Sequence, residues 1–404
     1  MKICDIVQSF TARSGGIRTY IHAKQRYLRD LGGHEHVLIM PGAADRTRRE
    51  HGTTVHEVAS PYIPGYRPYR FNVRLDKVAR LLAMERPHVI ELANPYVMPW
   101  AAFHHRRQHP CVVVGYYHAD FPEAYVAAPV ASVWGQAAGR AAGWLAERYA
   151  RKVYTSCEFT VTASPSYRRR LDEIGVDRVH EVPLGVDLEL FHPRRRDPSV
   201  WSRFFPEAPD GPVLAYIGRL DREKQVEVLV EAQRQIPDGV GARLFMMGEG
   251  PLRPALQDRA ANDPRLAVQT FEADREVVAD LLAAADLYVT AGPYETFGLS
   301  VLEAQASGLP VVGVDAGALP DRVPSGFGAL VAAGDAAAMA AAIVEQLACD
   351  PRSRGLAARN WVEREFGWDH VFDRLLELYR DPSPRCRSGD LSLAYATATG
   401  TRDR

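Results

Sequence analysis

Lysine is scarce in this chain of 404 residues: Lys2, Lys24, Lys77, Lys152 and Lys224 are all there are. Chemistry that needs an amine nucleophile or a Schiff base therefore has five candidates. Cysteine is equally sparse, and Cys4, Cys111, Cys157, Cys349 and Cys386 are odd in number and scattered. No Cys-x-x-Cys pair occurs, which excludes the common zinc and dithiol motifs and leaves reduced, structural thiols. No run approaches the roughly 18 uninterrupted apolar residues of a membrane-crossing helix, and Met1 leads almost at once into a strand-like segment rather than a signal peptide. The expectation is a cytoplasmic protein. Internal repeats are absent, and so is a Gly-x-Gly-x-x-Gly turn after the first strand-like run, which argues against a dinucleotide-dependent oxidoreductase.

What is present is the mix of a soluble globular protein, 47% hydrophobic and 25% charged. The length suits two domains of ordinary size, and two domains imply a cleft. Net charge is only −1, yet residues 1–186 hold 25 Lys and Arg against 17 Asp and Glu, and the remainder 24 against 33. A basic first half can draw an anionic surface or substrate, although scattered surface arginine explains the bias equally well. Nucleic acid is not among the expected partners.

Short β-rich runs alternate with helical stretches throughout, the pattern of parallel sheets wrapped by helices. Residues 2–8, 35–40, 88–93, 111–118 and 159–164 read as one set of strands, and 213–218, 243–248, 266–271, 286–291 and 310–314 as a second. Helices are expected near 224–235, 274–284 and 298–307. The fold class is α/β, with a doubly wound domain over 1–186, a proline-rich linker over 187–211, and a second such domain over 212–366. An amphipathic helix follows at 367–381. The polar, proline-containing end at 382–404 reads as a disordered tail.

Ligands of open parallel sheets bind at the carboxyl ends of the strands, so polar residues just after strands come first. Tyr294-Glu295-Thr296-Phe297-Gly298-Leu299-Ser300-Val301-Leu302-Glu303 follows a strand and runs into a helix. One extended ligand could touch Glu295 in the loop and Glu303 in the second helical turn, with a phosphate on the free amides near Gly298 and Leu299. Carboxylates accept hydrogen bonds from vicinal hydroxyls, which suits Glu295 to a hexose and Glu303 to a ribose. The plainer alternative is a solvated loop acid and a helix-surface acid. After the strand at 213–218, Gly218-Arg219-Leu220-Asp221-Arg222-Glu223-Lys224 offers a planar and a flexible cation for a diphosphate, or a pair of surface charges. Gly15-Gly16 follows the opening strand and permits close backbone approach to phosphate or sugar, or simply a tight turn. Gly248-Glu249-Gly250-Pro251 by itself reads as a turn. His118 ends an apolar strand, a place for a rim histidine or a functional one.

Taken in order along the chain, these segments resemble the family-four glycosyltransferases of the GT-B fold, in which two Rossmann-like domains face each other across a donor cleft. The glycine pair, the histidine strand, Val182-Pro183-Leu184-Gly185-Val186-Asp187, the Arg219/Lys224 segment, Gly248-Glu249-Gly250-Pro251 and Glu295 through Glu303 carry the resemblance over nearly all of residues 1–381. It implies a retaining hexosyltransferase that uses a nucleotide diphosphate sugar, GDP-mannose or a UDP-hexose, with a lipid-linked or glycoside acceptor. By it, Glu303 binds the donor ribose, and Glu295 with the Phe297–Leu299 backbone holds the transferred sugar. Arg219, Lys224, Gly218 and the Gly15-Gly16 turn grip the diphosphate, and His118 faces the sugar. It also implies front-side displacement with no cofactor and no metal, and the sequence contains no Asp-x-Asp. The Tyr-Tyr-His-Ala-Asp-Phe-Pro segment at 116–122 is similar to that of bacterial mannosyl- and glycolipid-forming members. Arg67, Arg70 and Arg74 with Tyr62, Tyr66 and Tyr69, and the cluster His104-His105-Arg106-Arg107, are candidates for peripheral membrane contact or for a soluble anionic glycoside. A GT-B sugar phosphorylase, a nucleotide-sugar epimerase and a non-catalytic nucleotide-sugar-binding protein stay open as alternatives. A pyridoxal-dependent phosphorylase needs a lysine in the cleft, where Lys224 is already engaged.

Overall fold

The computed structural model describes residues 1–8, 10, 16–63, 69–206 and 211–382. Gly15, Tyr66, Arg67 and the expected tail from residue 383 onward lie outside the described residues. The chain divides into two units, Met1–Leu184 with the helix Trp368–Arg380, and Gly185–Gly367.

The first unit is built on eight strands, β1 (Lys2–Ile6), β2 (Glu35–Gly42), β3 (Arg46–Glu50), β4 (Thr53–Ala59), β5 (Val89–Leu92), β6 (Val112–Tyr117), β7 (Phe159–Thr162) and β8 (Val179–Glu181). Their order is β3-β4-β2-β1-β5-β6-β7-β8, parallel except for the β3–β4 hairpin. Central β1 is buried from Ile3 to Ile6, as a strand covered by helices on both faces must be, and its Cys4 pairs with Val37 and with Ile90. β3 was not expected from sequence because its Arg-Thr-Arg-Arg-Glu is all polar. It survives at the sheet edge, where charge blunts further pairing, and is closed by a two-residue turn at His51 and Gly52, both in the left-handed region.

The helix Trp368–Arg380 buries Val371, Phe372, Leu375, Leu376 and Tyr379 on one face. Phe372 meets Tyr20 and Tyr27, and the Tyr379 hydroxyl enters a buried ionic cluster. There Lys24 Nζ lies 2.7 Å from Asp5 Oδ1, 3.1 Å from Glu91 Oε2 and 3.0 Å from the Tyr379 oxygen, while His36 Nε2 is 2.8 Å from Asp5 Oδ2. Burial disfavours the Lys24 ammonium, but Asp5 and Glu91 outweigh it and raise its pKa. A buried charge with this many partners keeps its place, whereas removal of one partner would strand the others.

The second unit is a wholly parallel sheet of β9 (Val213–Ile217), β10 (Arg243–Met247), β11 (Leu266–Gln269), β12 (Leu287–Val289), β13 (Val311–Val314) and β14 (Gly328–Val331), ordered β11-β10-β9-β12-β13-β14. Strand order reverses between β9 and β12, so the loops after these strands flank the topological switch point. Residues 187–206, read from sequence as a linker, are held to this unit by 3₁₀ turns. Trp201 is buried against Phe245 and donates to the Ala284 carbonyl at 3.1 Å, Arg196 binds the carbonyls that end the helix Arg275–Ala284, and Arg359 donates to Leu188 O at 3.0 Å. Both units are α/β with parallel sheets, the class expected from the alternation of runs.

Candidate active site

The second unit brings four expected residues together at its switch point. After β9, Gly218 donates its amide to Met247 O at 3.0 Å, and Asp221 then caps a 3₁₀ turn over Arg222–Lys224 by accepting from the Lys224 amide. That turn aims Lys224 at the loop after β12, where its Nζ lies 2.6 Å from Glu295 Oε2. The other Glu295 oxygen accepts from the Gly298 amide at 3.1 Å. Burial lowers the Lys224 pKa and raises that of Glu295, but the pairing is stronger: Lys224 ends up raised and Glu295 lowered, so both are charged.

Gly298 has φ 84°, left-handed backbone that a side chain resists, and it turns the loop into the helix Leu299–Ala306. The amides of that first turn find no carbonyl within the helix itself. Phe297 is buried, and its carbonyl accepts from Arg322 Nε at 3.1 Å while the Arg322 guanidinium lies 4.2 Å from its ring centre. Arg322 is fully buried, and no sequence pattern singled it out; its work is to hold the loop. Gly248 and Gly250 gain a reason too. A Cβ on Gly248 would stand 1.8 Å from Gly218 O, and one on Gly250 2.1 Å from Leu220 O, so these glycines let the loop after β10 close against the one carrying Arg219.

Arg219 is half-exposed and pairs with Asp221 at 3.0 Å and Glu223 at 2.6 Å. Glu303 is buried, and its partner is Arg275, at the start of a neighbouring helix, which the sequence reading did not identify. Burial raises the Glu303 pKa and Arg275 opposes the rise. Arg219, Arg222 and Lys224 thus stand among Asp221, Glu223 and Glu295, a set without net charge. A dianion entering here must share the cations with those carboxylates, which suits the five donors of an arginine better than a bare point charge.

In the first unit the switch point lies between β1 and β5, where the Gln8 amide donates to Asn94 Oδ1 at 3.0 Å. Gly16 opens the helix Gly16–Leu31 that follows. His118 sits just past β6, partly exposed, stacked on Tyr116 with ring centres 3.9 Å apart and edge-on to Tyr20. Burial and the nearby Lys24 charge push its pKa down to about 3, which makes it a neutral imidazole at any physiological pH. Of the basic candidates, Arg70 stacks over Tyr62 and donates to Ser60 O, Arg74 pairs with Asp76, Arg106 pairs with Glu158, and His105 is buried. Among the described residues no helix is long and apolar enough to cross a membrane.

Residues 14–190 match the sequence profile of Glycosyltransferase Family 4, and residues 211–349 that of Glycosyl transferases group 1. A "GDP-mannose-dependent alpha-(1-6)-phosphatidylinositol dimannoside mannosyltransferase" of Mycobacterium tuberculosis (strain ATCC 25177 / H37Ra) is 31% identical over 96% of this chain and 99% of its own length. The chain belongs to the family-four glycosyltransferases. A "GDP-mannose-dependent alpha-mannosyltransferase" of Corynebacterium glutamicum is 27% identical over all of this chain and 97% of that protein. Among solved structures, sucrose-phosphate synthase from Thermosynechococcus elongatus superposes with a TM-score of 0.77 at 22% identity, covering 94% of this chain and 98% of that one. The fold is therefore GT-B, and the chain is a glycosyltransferase, as the ordered motifs led one to expect.

Proposed function

We propose that this glycosyltransferase moves mannose from GDP-mannose to a hydroxyl of a lipid-linked acceptor and keeps the anomeric configuration. The observation that carries the donor is the end-to-end similarity to relatives whose names specify GDP-mannose, one of them at 31% identity. The lipid acceptor rests on the phosphatidylinositol dimannoside in the first of those names. The ionic arrangement around Lys224 and Glu295 supports the chemistry, since neither carboxylate nor amine is placed as a lone nucleophile: each already holds the other.

In this reading Glu303 takes the ribose hydroxyls and gives up part of its hold on Arg275. Glu295 and the amides after Phe297 hold the hexose, while Arg219 and Lys224 take the diphosphate. As the glycosidic bond breaks, charge grows on the departing phosphate, and the cations act most at that moment. The acceptor oxygen bonds to the anomeric carbon from the same face as the departing phosphate, and that phosphate takes the acceptor's proton. His118, whose pKa burial pushes down to about 3 so that its imidazole stays neutral, serves as a hydrogen-bonding group and not as a proton carrier. No metal takes part in this scheme.

Hydrolysis and transfer assays over GDP-mannose, UDP-glucose and UDP-galactose, with and without excess EDTA, test the reading. It calls for turnover of GDP-mannose that EDTA leaves intact. Preference for a UDP-hexose removes the donor assignment, and a loss to EDTA that manganese restores removes the metal-free one.

A further inference from the structure

One element of the first unit has no part in the chemistry above. Beyond β6 the chain leaves Asp120, which accepts from the Tyr117 hydroxyl at 2.9 Å, and winds through a π-helical turn at Glu123–Ala127 into the helical segment Ala128–Tyr154. That segment is broken at Gly135, where φ is 83° and ψ 168°. The two limbs fold back on each other: a Cβ on Gly139 would stand 2.5 Å from Ala131 Cβ, and one on Gly143 2.9 Å from Ala127 Cβ. These pairings step outward from residue 135 in opposite directions along the chain, which defines an antiparallel helical hairpin with Gly135 at its tip.

The outer surface of this hairpin is apolar and uncovered. Val133 and Trp134 at the tip are 71% and 73% exposed, and Trp144 and Leu145 on the second limb are 57% and 61% exposed. Ala137, Ala141, Trp144, Leu145 and Arg148 follow helical spacing, so they form one stripe. Arg148 lies 4.9 Å from the Trp144 ring centre, and Arg140 is exposed beside it. The acid of this limb, Glu147, is paired with Arg170.

We propose that this hairpin docks the protein on an anionic lipid surface. Tryptophan belongs at the boundary between headgroups and acyl chains, and arginine at its edge binds lipid phosphate. The stripe decides the orientation. Trp144 lies about 14 Å along the limb from the tip at 1.5 Å per residue, whereas interfacial helices sink about 5–10 Å, so the hairpin lies along the surface and does not insert tip first. A second copy of the chain is disfavoured as occupant, because two such stripes would bring Arg140 and Arg148 against their own kind. Since the hairpin leaves the sheet at the carboxyl end of β6, directly after His118, docking holds that end of the unit near the membrane, where a lipid-linked hydroxyl resides. This deepens the lipid-acceptor reading, and vesicle binding is measured without donor or acceptor so that each can fail alone.

The test is co-sedimentation of the full chain with vesicles of phosphatidylglycerol and phosphatidylcholine, or of phosphatidylcholine alone, at low and high salt. The wild type should pellet with the anionic vesicles. Trp134→Ser with Trp144→Ser should lower its partition about tenfold or more at every salt concentration. Arg140→Gln with Arg148→Gln should lower it at low salt and blunt the salt dependence. All these side chains are exposed, so melting temperature and affinity for GDP should match the wild type in both variants. Brominated lipids should quench tryptophan fluorescence in the wild type and much less in the tryptophan variant. Absence of binding at low salt, wild-type partition in the tryptophan variant, or a solution dimer that Trp144→Ser dissociates would each overturn the proposal.

Discussion

Replacing Lys224 with methionine keeps the aliphatic stem and removes the charge that the account needs most. Its Nζ sits 2.6 Å from Glu295, with the two side chains 17% and 23% exposed. Breaking a fully buried pair costs about 3–5 kcal/mol; with about a fifth of each side chain in water, about 2 kcal/mol is expected here. Turnover should suffer more. A cation removed from a growing phosphate charge is worth about 2.7–4 kcal/mol, or roughly 10²–10³ in kcat. The pH dependence separates the two effects. Because the folded structure holds Glu295 below its ordinary pKa, the pair stabilises the wild type above the unfolded carboxyl value of about 4.3, and this is lost as pH falls through the lowered folded value. In the variant the unpaired, buried Glu295 should shift upward instead. The stability gap between the proteins should therefore be widest at neutral pH, narrow as the solution is acidified toward pH 4, and close only below the lowered Glu295 value. Adding Glu295→Gln should restore melting temperature at neutral pH but not turnover. Thermal melts at several pH values, with initial rates on GDP-mannose, provide the readouts. More than a tenth of wild-type kcat in Lys224→Met, or recovery of turnover in the double variant, would refute the reasoning.

Glu303→Ala should weaken binding of GDP by about 1–3 kcal/mol, since ribose hydroxyls lose an acceptor in a partly dry site; calorimetry with a folded variant of unchanged affinity would take Glu303 out of the site. Glu223→Gln releases Arg219 from a 2.6 Å pairing and should tighten GDP binding by about 0.5–1 kcal/mol, whereas weaker binding would show that Glu223 positions Arg219 instead of competing for it. Gly298→Ala forces a side chain into φ 84° at a cost of about 1–2 kcal/mol and should displace the amide that holds Glu295, so melting temperature and turnover should fall together.

The strands with apolar runs were legible in the sequence because parallel strands between helix layers must be apolar on both faces. β3, with three arginines and no apolar residue larger than a threonine methyl, gave no such signal; neither did β4, whose Thr-Thr-Val-His-Glu-Val-Ala mixes apolar with polar residues, nor β8 and β14, short strands at the sheet edges. Of the candidate site, Arg219, Lys224 and Glu295 stood out because each follows a strand within a few residues, and Glu303 because it falls in the second turn of the helix after Glu295. Arg275 and Arg322 did not, since their partners Glu303 and Phe297 are 28 and 25 residues away in the chain, and ordinary spacing rules stop at four. Lys24 was invisible for the same reason: on the helix Gly16–Leu31 it reads as a surface cation, and only the pairing of β1 with β5 places Asp5 and Glu91 together to bury it. The exposed tryptophans of the hairpin were hidden differently, because in sequence they resemble core residues of a long helix until Gly135 turns the chain back on itself.

The most direct test of the central claim is the anomeric outcome of transfer from GDP-α-mannose, read by proton and carbon NMR of the mannosylated lipid. The account predicts an α-mannoside, formed by the wild type and reduced at least a hundredfold in Lys224→Met. A β-mannoside, or no mannosyl transfer to any lipid fraction while a UDP-hexose is consumed, would contradict it.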